Sequence, residues 1–180
     1  MMRNDENNRD PVSAQKLFDI KRLRDRTVRM DIILVDASTV KRPGFAVFYR
    51  NIKDQLCERN QKLTILGASW DQLVREEQEN GLDEATRENV QLLLQNRRRG
   101  LVKAILDDAP AGTPEMDAIV AYCTENRHAP DGRNQKIMVI SADEKAIPQY
   151  LAINAQRSQK GGIVIVKTLD EAGNLCQPGS

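Results

Sequence analysis

Aromatic residues make up only 4% of this 180-residue sequence, so a folded core has to rest on Leu, Ile, Val, Ala and Met. Cysteine is nearly as scarce. The three present, Cys57, Cys123 and Cys176, form no CxxC pair, and their odd number argues against a disulfide framework. A single histidine, His128, sits in a polar stretch without a GxSxG motif, which leaves a Ser-His-Asp or Cys-His engine little to work with. GxGxxG, GxxxxGK[ST] and zinc-ligand spacings are missing as well. No run approaches the ~20 apolar residues needed to cross a bilayer. A one-signed charge excess is also lacking: 27 Lys plus Arg face 26 Asp plus Glu, so whole-molecule attraction to a polyanion is excluded and a nucleic-acid partner needs a local basic patch.

What is there fits one globular domain. A chain of this length buries roughly 70% of its unfolded surface and needs no staple. The start, MMRNDENNRDP, has no apolar segment like that of a signal peptide, and residues 1–12 are expected to form a disordered tail. One domain is expected over 13–170, followed by a flexible tail over 171–180. The expected setting is a reducing cytoplasm.

Four short apolar runs read as buried parallel strands: residues 30–36, 62–66, 136–141 and 162–166. Helical patterns separate them. Ser13 can cap a basic amphipathic helix reaching about Arg26; others run from Phe45 to Arg59, from Trp70 to Gln78 behind Ser69, and from Asp83 to Ala109 with a break at Gly100. A helix through Asn126 opens at Thr113-Pro114, and one more follows Asp143. Alternating strands and helices predict an α/β fold, with a parallel sheet of about four to five strands flanked by helices.

Ligands of open parallel sheets bind beyond the C-terminal strand ends. Two strands run straight into a carboxylate there, Asp36 after IILV and Asp143 after IMVISA. Asp117 opens a helix, and Asp71 lies in the first turn of the helix after the second strand. Glu115, two residues before Asp117, falls on another helix face and ranks below it. Singly, such acids cap turns or favour helix N-termini. Together they repel, and a divalent cation with hard oxygen ligands, Mg²⁺ or Mn²⁺, is the natural compensation. The chemistry this suggests is metal-assisted phosphodiester hydrolysis. Lys41 and Arg42 follow Asp36 and can hold phosphates; Arg97, Arg98 and Arg99 are the densest basic run. Trp70 can stack on a base.

Taken in order, IILVDAST (32–39), MDAIVAYCTEN (116–126) and IMVISADEKAI (137–147), with the closing IVIV strand, resemble the PIN domain family of nucleases over most of residues 30–168. The resemblance implies a parallel sheet between two helical layers and Mg²⁺- or Mn²⁺-dependent cleavage of RNA, sometimes of structured DNA. It implies Asp36, Asp117 and Asp143 as metal-site acids and Ser141 as the hydroxyl residue before the last Asp; Asp71, off the family's spacing, is the auxiliary acid of the resulting hypothesis. It also implies a possible homodimer. The sequence departs from the family at Gln72-Leu73, where a Glu-Leu pair is usual; Asp71 and Glu76 are the nearby acids. That departure motivates an alternative, a non-catalytic module of the same fold that binds RNA or a protein. A small-molecule phosphatase is a third reading. Two further patterns fail on one residue each. A haloacid-dehalogenase-like site needs an Asp at Ser38, and a von Willebrand A-type site needs a Ser at Val40.

Overall fold

The computed structural model describes residues 29–107, 109–155 and 162–179, together with Ala14, Gln15, Leu17 and Lys21. Most of the helix expected over 13–26, and the expected tail over 1–12, lie outside the described residues.

Five parallel strands form the sheet: β1 (Ile32–Val35), β2 (Leu63–Leu66), β3 (Val102–Ile105), β4 (Ile137–Ile140) and β5 (Val164–Leu169). A sixth, β6 (Leu175–Cys176), pairs antiparallel with β5, in the segment where a flexible tail was expected. The spatial order is β3-β2-β1-β4-β5-β6. The β5–β6 turn packs on the start of the second helix so closely that a Cβ on Gly44 would lie 2.4 Å from the Asp170 carbonyl oxygen.

Six helices are described: α1 (Ala37–Val40), α2 (Phe45–Glu58), α3 (Gly67–Gln78), α4 (Glu84–Arg98), α5 (Glu115–Asn126) and α6 (Ile147–Ala152). Side chains alternate across the sheet, as period-2 geometry requires. Ile33, Val35, Ile65 and Ile140 pack with Phe48 and Ile52 of α2 and Leu93 of α4. Leu34, Val139 and Val166 point the other way, onto Ile119 and Cys123 of α5 and Tyr150 of α6. The result is a three-layer sandwich with apolar cores on both sheet faces, so the strands read as unbroken apolar runs. Among the described residues no helix is long and apolar enough to cross a membrane.

The strand at β3 corrects the sequence reading, which continued the helix from Asp83 to Ala109. Leu101, Val102, Ile105 and Leu106 satisfy a helical period, but a segment this short cannot be assigned by period alone. The decision is made at Gly100. Its φ of +75° places it in the left-handed region. Its N–H donates to Arg97 O (2.9 Å), and that of Leu101 donates to Asn96 O (2.8 Å). This double closure stops α4 and sends the chain into register with β2, Val102 opposite Leu63. Asn60 and Asn80, at φ 53° and 55°, end α2 and α3 in the same way. Gly100→Ala is expected to lower the unfolding free energy by about 1–2 kcal/mol, the cost of a Cβ in the left-handed region, as measured by urea denaturation. The space around Gly100 is open, so the loss is conformational and not steric.

Two expected caps also differ. Ser69 does not cap α3, which begins at Gly67 directly after β2, and Thr113 turns its hydroxyl back to Pro110 O (2.6 Å) while Pro114 precedes α5.

The topology fixes where a ligand can enter. From β1 the chain crosses to β2 on one side, and from β4 it crosses to β5 on the other. The loops after β1 and β4 therefore diverge above neighbouring strands and leave a crevice between them, the switch point of an open α/β sheet.

Candidate functional site

Asp36 ends β1 at that switch point. It caps the short helix α1 with an extended backbone, and none of its surface is exposed to solvent. A carboxylate continuing an apolar strand loses most of its hydration, and the protein replaces it with donors. Oδ1 accepts from Ser38 Oγ (2.6 Å), Thr39 N (2.9 Å) and Thr39 Oγ1 (3.0 Å). Oδ2 accepts from the Ser141 hydroxyl at the end of β4. The same hydroxyls stitch the two loops together. Ser38 Oγ accepts from Ala142 N (2.8 Å), Ser141 Oγ accepts from Asp143 N (3.1 Å), and Thr39 Oγ1 also donates to Ile140 O (2.6 Å). Asn89 of α4 pins the other end of α1, donating to Val40 O (2.8 Å) and Arg42 O (3.2 Å).

Burial outweighs these donors. It raises the Asp36 pKa above the usual carboxylate value, while the bonds from Ser141, Ser38 and Thr39 pull the other way. Glu115 is the second acid of the site. Its Oε2 accepts from Ala37 N (2.9 Å), the residue next to Asp36. Its pKa is raised by burial first and by the charge of Asp36 second, with Ser69, Ala37 and Lys41 opposing. Among the described residues no cation forms an ion pair with either carboxylate.

Glu115 stands where the sequence pointed to Asp117. On α5 the buried residues are Ala118, Ile119 and Cys123, and Glu115 precedes them at i, i+3, i+4 and i+8 spacing, on the same stripe. Asp117 lies about 200° round the helix from Glu115 and is exposed. The argument that the two acids occupy different faces holds; the inward face belongs to Glu115. Asp143 is exposed on the loop after β4, where its Oδ1 accepts from Lys145 N (3.0 Å). It lies near enough that its charge, like those of Asp36 and Glu115, acts on the hydroxyl of Tyr150. Asp36 and Asp143 thus follow neighbouring parallel strands at the same end of the sheet.

Asp71 lies on α3. It lines a neighbouring cavity of about 370 Å³ beneath the loop after β3, with Gly67, Ala68 and Asp107. Glu76 turns inward instead and holds Lys41 Nζ at 2.9 Å. Arg42 follows on the same edge, its Nε buried without a hydrogen-bond partner. Arg97, Arg98 and Arg99 are exposed at the end of α4. That end leads into the start of β3, which runs parallel to β1 through β2, so the three arginines lie at the sheet edge opposite Asp36. Their charges complement the α4 dipole there. Trp70 is partly buried against the core cluster beneath α2 and α4.

Asp36, fully buried, and Glu115, half-buried, carry charges that oppose each other, and among the described residues no cationic side chain is paired to either, which makes a site that favours a positive ligand. Among the described residues no group of three or more His, Cys, Asp or Glu is close enough to hold a metal ion. A hydrated divalent cation does not require three. Mg²⁺ commonly keeps several waters and binds through one or two carboxylates, and Asp36 with Glu115 fits that donor set. The sequence analysis did not bring Tyr150, Ser38 or Ser69 to this place and ranked Glu115 below Asp117. The stripe Glu115-Ala118-Ile119-Cys123 was the available signal for the last. No protein-family model and no curated protein matches the chain.

Proposed function

We propose that the protein is a divalent-metal-dependent nuclease of PIN-like architecture acting on RNA. The observation that carries this reading is the pairing of Asp36 and Glu115 at the switch point, both with raised pKa and neither in an ion pair with a cation among the described residues. Asp36 and Glu115 would hold Mg²⁺ or Mn²⁺. Bound there, the cation would supply Lewis acidity toward water and toward the charge developing on a phosphoryl oxygen. Ser141, Ser38 and Thr39 keep Asp36 oriented and favour its ionised form. Asp143, exposed on the loop after β4, can take the proton of a water whose oxygen bonds to phosphorus, while the phosphorus–oxygen bond to the leaving group breaks and the leaving oxygen takes a proton from solvent. Lys41 and Arg42 lie on the acid edge and are the side chains suited to the strand's phosphates. Glu76 holds Lys41 in place.

A specific observation favours the second reading, a module that binds RNA or a protein without cleaving. The close acids number two, and Gln72 stands where the family has Glu. One experiment separates the readings. Purified protein is incubated with a 5′-labelled single-stranded RNA in Mn²⁺ and, separately, in EDTA. Cleavage in Mn²⁺ alone is the expected outcome. Retention of intact RNA in a gel shift without cleavage selects the binding module. Hydrolysis of a generic phosphomonoester but not of RNA selects the phosphatase.

A further inference from the structure

Tyr150 is the unexplained residue of this site. The buried residues Ile147 and Tyr150 of α6, with Ala146 just before it and Ile153 just after, form one inward stripe, and the Tyr150 ring packs in the core with Ile119 and Cys123. Filling that core requires only a phenyl ring. The side chain is nevertheless a tyrosine, fully buried, and its hydroxyl has no hydrogen-bond partner among the described residues. A buried unpaired hydroxyl is destabilising, and native proteins leave few such groups without a use. The charges that reach this hydroxyl are those of Asp36 and Glu115 at the switch point, Asp143 on the loop after β4 and Cys123 in the core beside it. Carboxylates only accept, so a phenol among them adds the one thing the cluster lacks, a neutral donor. Tyr49 is a contrasting case on the opposite sheet face. It too is buried with an unpaired hydroxyl, but its electrostatic neighbours are Cys57 and Arg99.

We propose that Tyr150 is a positioning residue whose hydroxyl is reserved for an oxygen carried into the acid site, a water of the hydrated divalent cation held by Asp36 and Glu115. The inference rests on the reading of that pair as a cation site. In the free protein the hydroxyl is a liability, and in the loaded protein it donates to the incoming oxygen. The two states therefore respond to its removal with opposite signs, which a purely structural tyrosine would not do.

The test uses the full chain, Mn²⁺ alone as the probe, and thermal melting with calorimetric titration as readouts, on wild type, Tyr150→Phe and Tyr49→Phe. Without Mn²⁺, Tyr150→Phe is expected to melt at or above the wild-type temperature. With Mn²⁺, the wild type is expected to gain stability by mass action. Tyr150→Phe should gain less and bind Mn²⁺ roughly 3- to 10-fold more weakly, the loss of one hydrogen bond. Tyr49→Phe should bind Mn²⁺ like the wild type. Equal Mn²⁺ affinity in wild type and Tyr150→Phe overturns this role and leaves the cation site standing. A Tyr150→Phe protein clearly less stable than wild type without Mn²⁺ also overturns it, by showing that the hydroxyl already has a structural partner. Absence of any Mn²⁺ response in the wild type removes the cation site and the tyrosine's role with it.

Discussion

Asp36→Asn is expected to reduce Mn²⁺-dependent RNA cleavage by more than about 100-fold, since losing a group that orients a metal ligand already costs 10–100-fold. The melting temperature should stay level or rise. The amide is nearly isosteric. Its oxygen can take over the bonds from Ser38 and Thr39, and its NH₂ can meet the Ser141 hydroxyl, which rotates to accept. The substitution also removes a buried charge that Glu115 opposes. Loss of activity with undiminished stability is the signature of a functional group kept at a cost to the fold. A structural cap would show the reverse, a fall in stability with activity retained. Gel-resolved cleavage rates and thermal melts on the same preparations distinguish the two.

The second large effect separates two acids that lie two residues apart. Glu115→Gln is expected to cut cleavage by more than about 10-fold, whereas Asp117→Asn should leave it within the small range of an exposed substitution. Glu115→Gln should also change how stability depends on pH, and the sign follows from the direction of the shifts. Asp36 and Glu115 both titrate above the usual carboxylate value when folded. As pH rises from the ordinary carboxylate range near 4, the unfolded chain releases these protons before the native one does. The native state therefore holds more protons, and stability falls across the window up to the raised folded values, by up to about 1.4 kcal/mol per pH unit for each group. Glu115→Gln removes its own share and relieves Asp36 of a repelling neighbour, so its stability curve should be flatter above pH 4. Urea midpoints at intervals from pH 4 to 8 measure this. Parallel curves for wild type and Glu115→Gln would mean that the carboxylates do not oppose each other in solution.

The parts of this fold that were legible in the sequence share a physical cause. β1, β2, β4 and β5 are buried on both faces, so each appears as an apolar run too uniform for a helix. Asp36, Ser141 and Asp143 stood out in the sequence for the related reason that polar side chains end those apolar runs at the C-terminal ends of β1 and β4. β3 was hidden because Leu101-Val-Lys-Ala-Ile-Leu106 suits either period, and only Gly100's left-handed turn and the register with β2 decide it. The two residues of β6 carry no pattern at all; hydrogen bonding to the edge of β5 makes them a strand. The choice between Glu115 and Asp117 depended on the rotation of α5 about its axis, which the packing of Ala118, Ile119 and Cys123 sets. The arginine run illustrates the limit of reading along the chain. Arg97–Arg99 look like a phosphate clamp in sequence, but strand direction puts them at the edge away from the acids. Tyr150 gave no sequence signal, because a buried tyrosine and a buried phenylalanine share one pattern until the hydroxyl's surroundings are known.

The most direct measurement of the central claim is calorimetric titration of the full chain with Mn²⁺ at neutral pH, repeated on Asp36→Asn and Glu115→Gln. The expected result is saturable binding in the wild type that is lost or weakened by more than about 10-fold in both variants. Saturable binding that survives both substitutions, or a wild type that binds no Mn²⁺ at millimolar concentration, would contradict the assignment of Asp36 and Glu115 as the cation-holding pair.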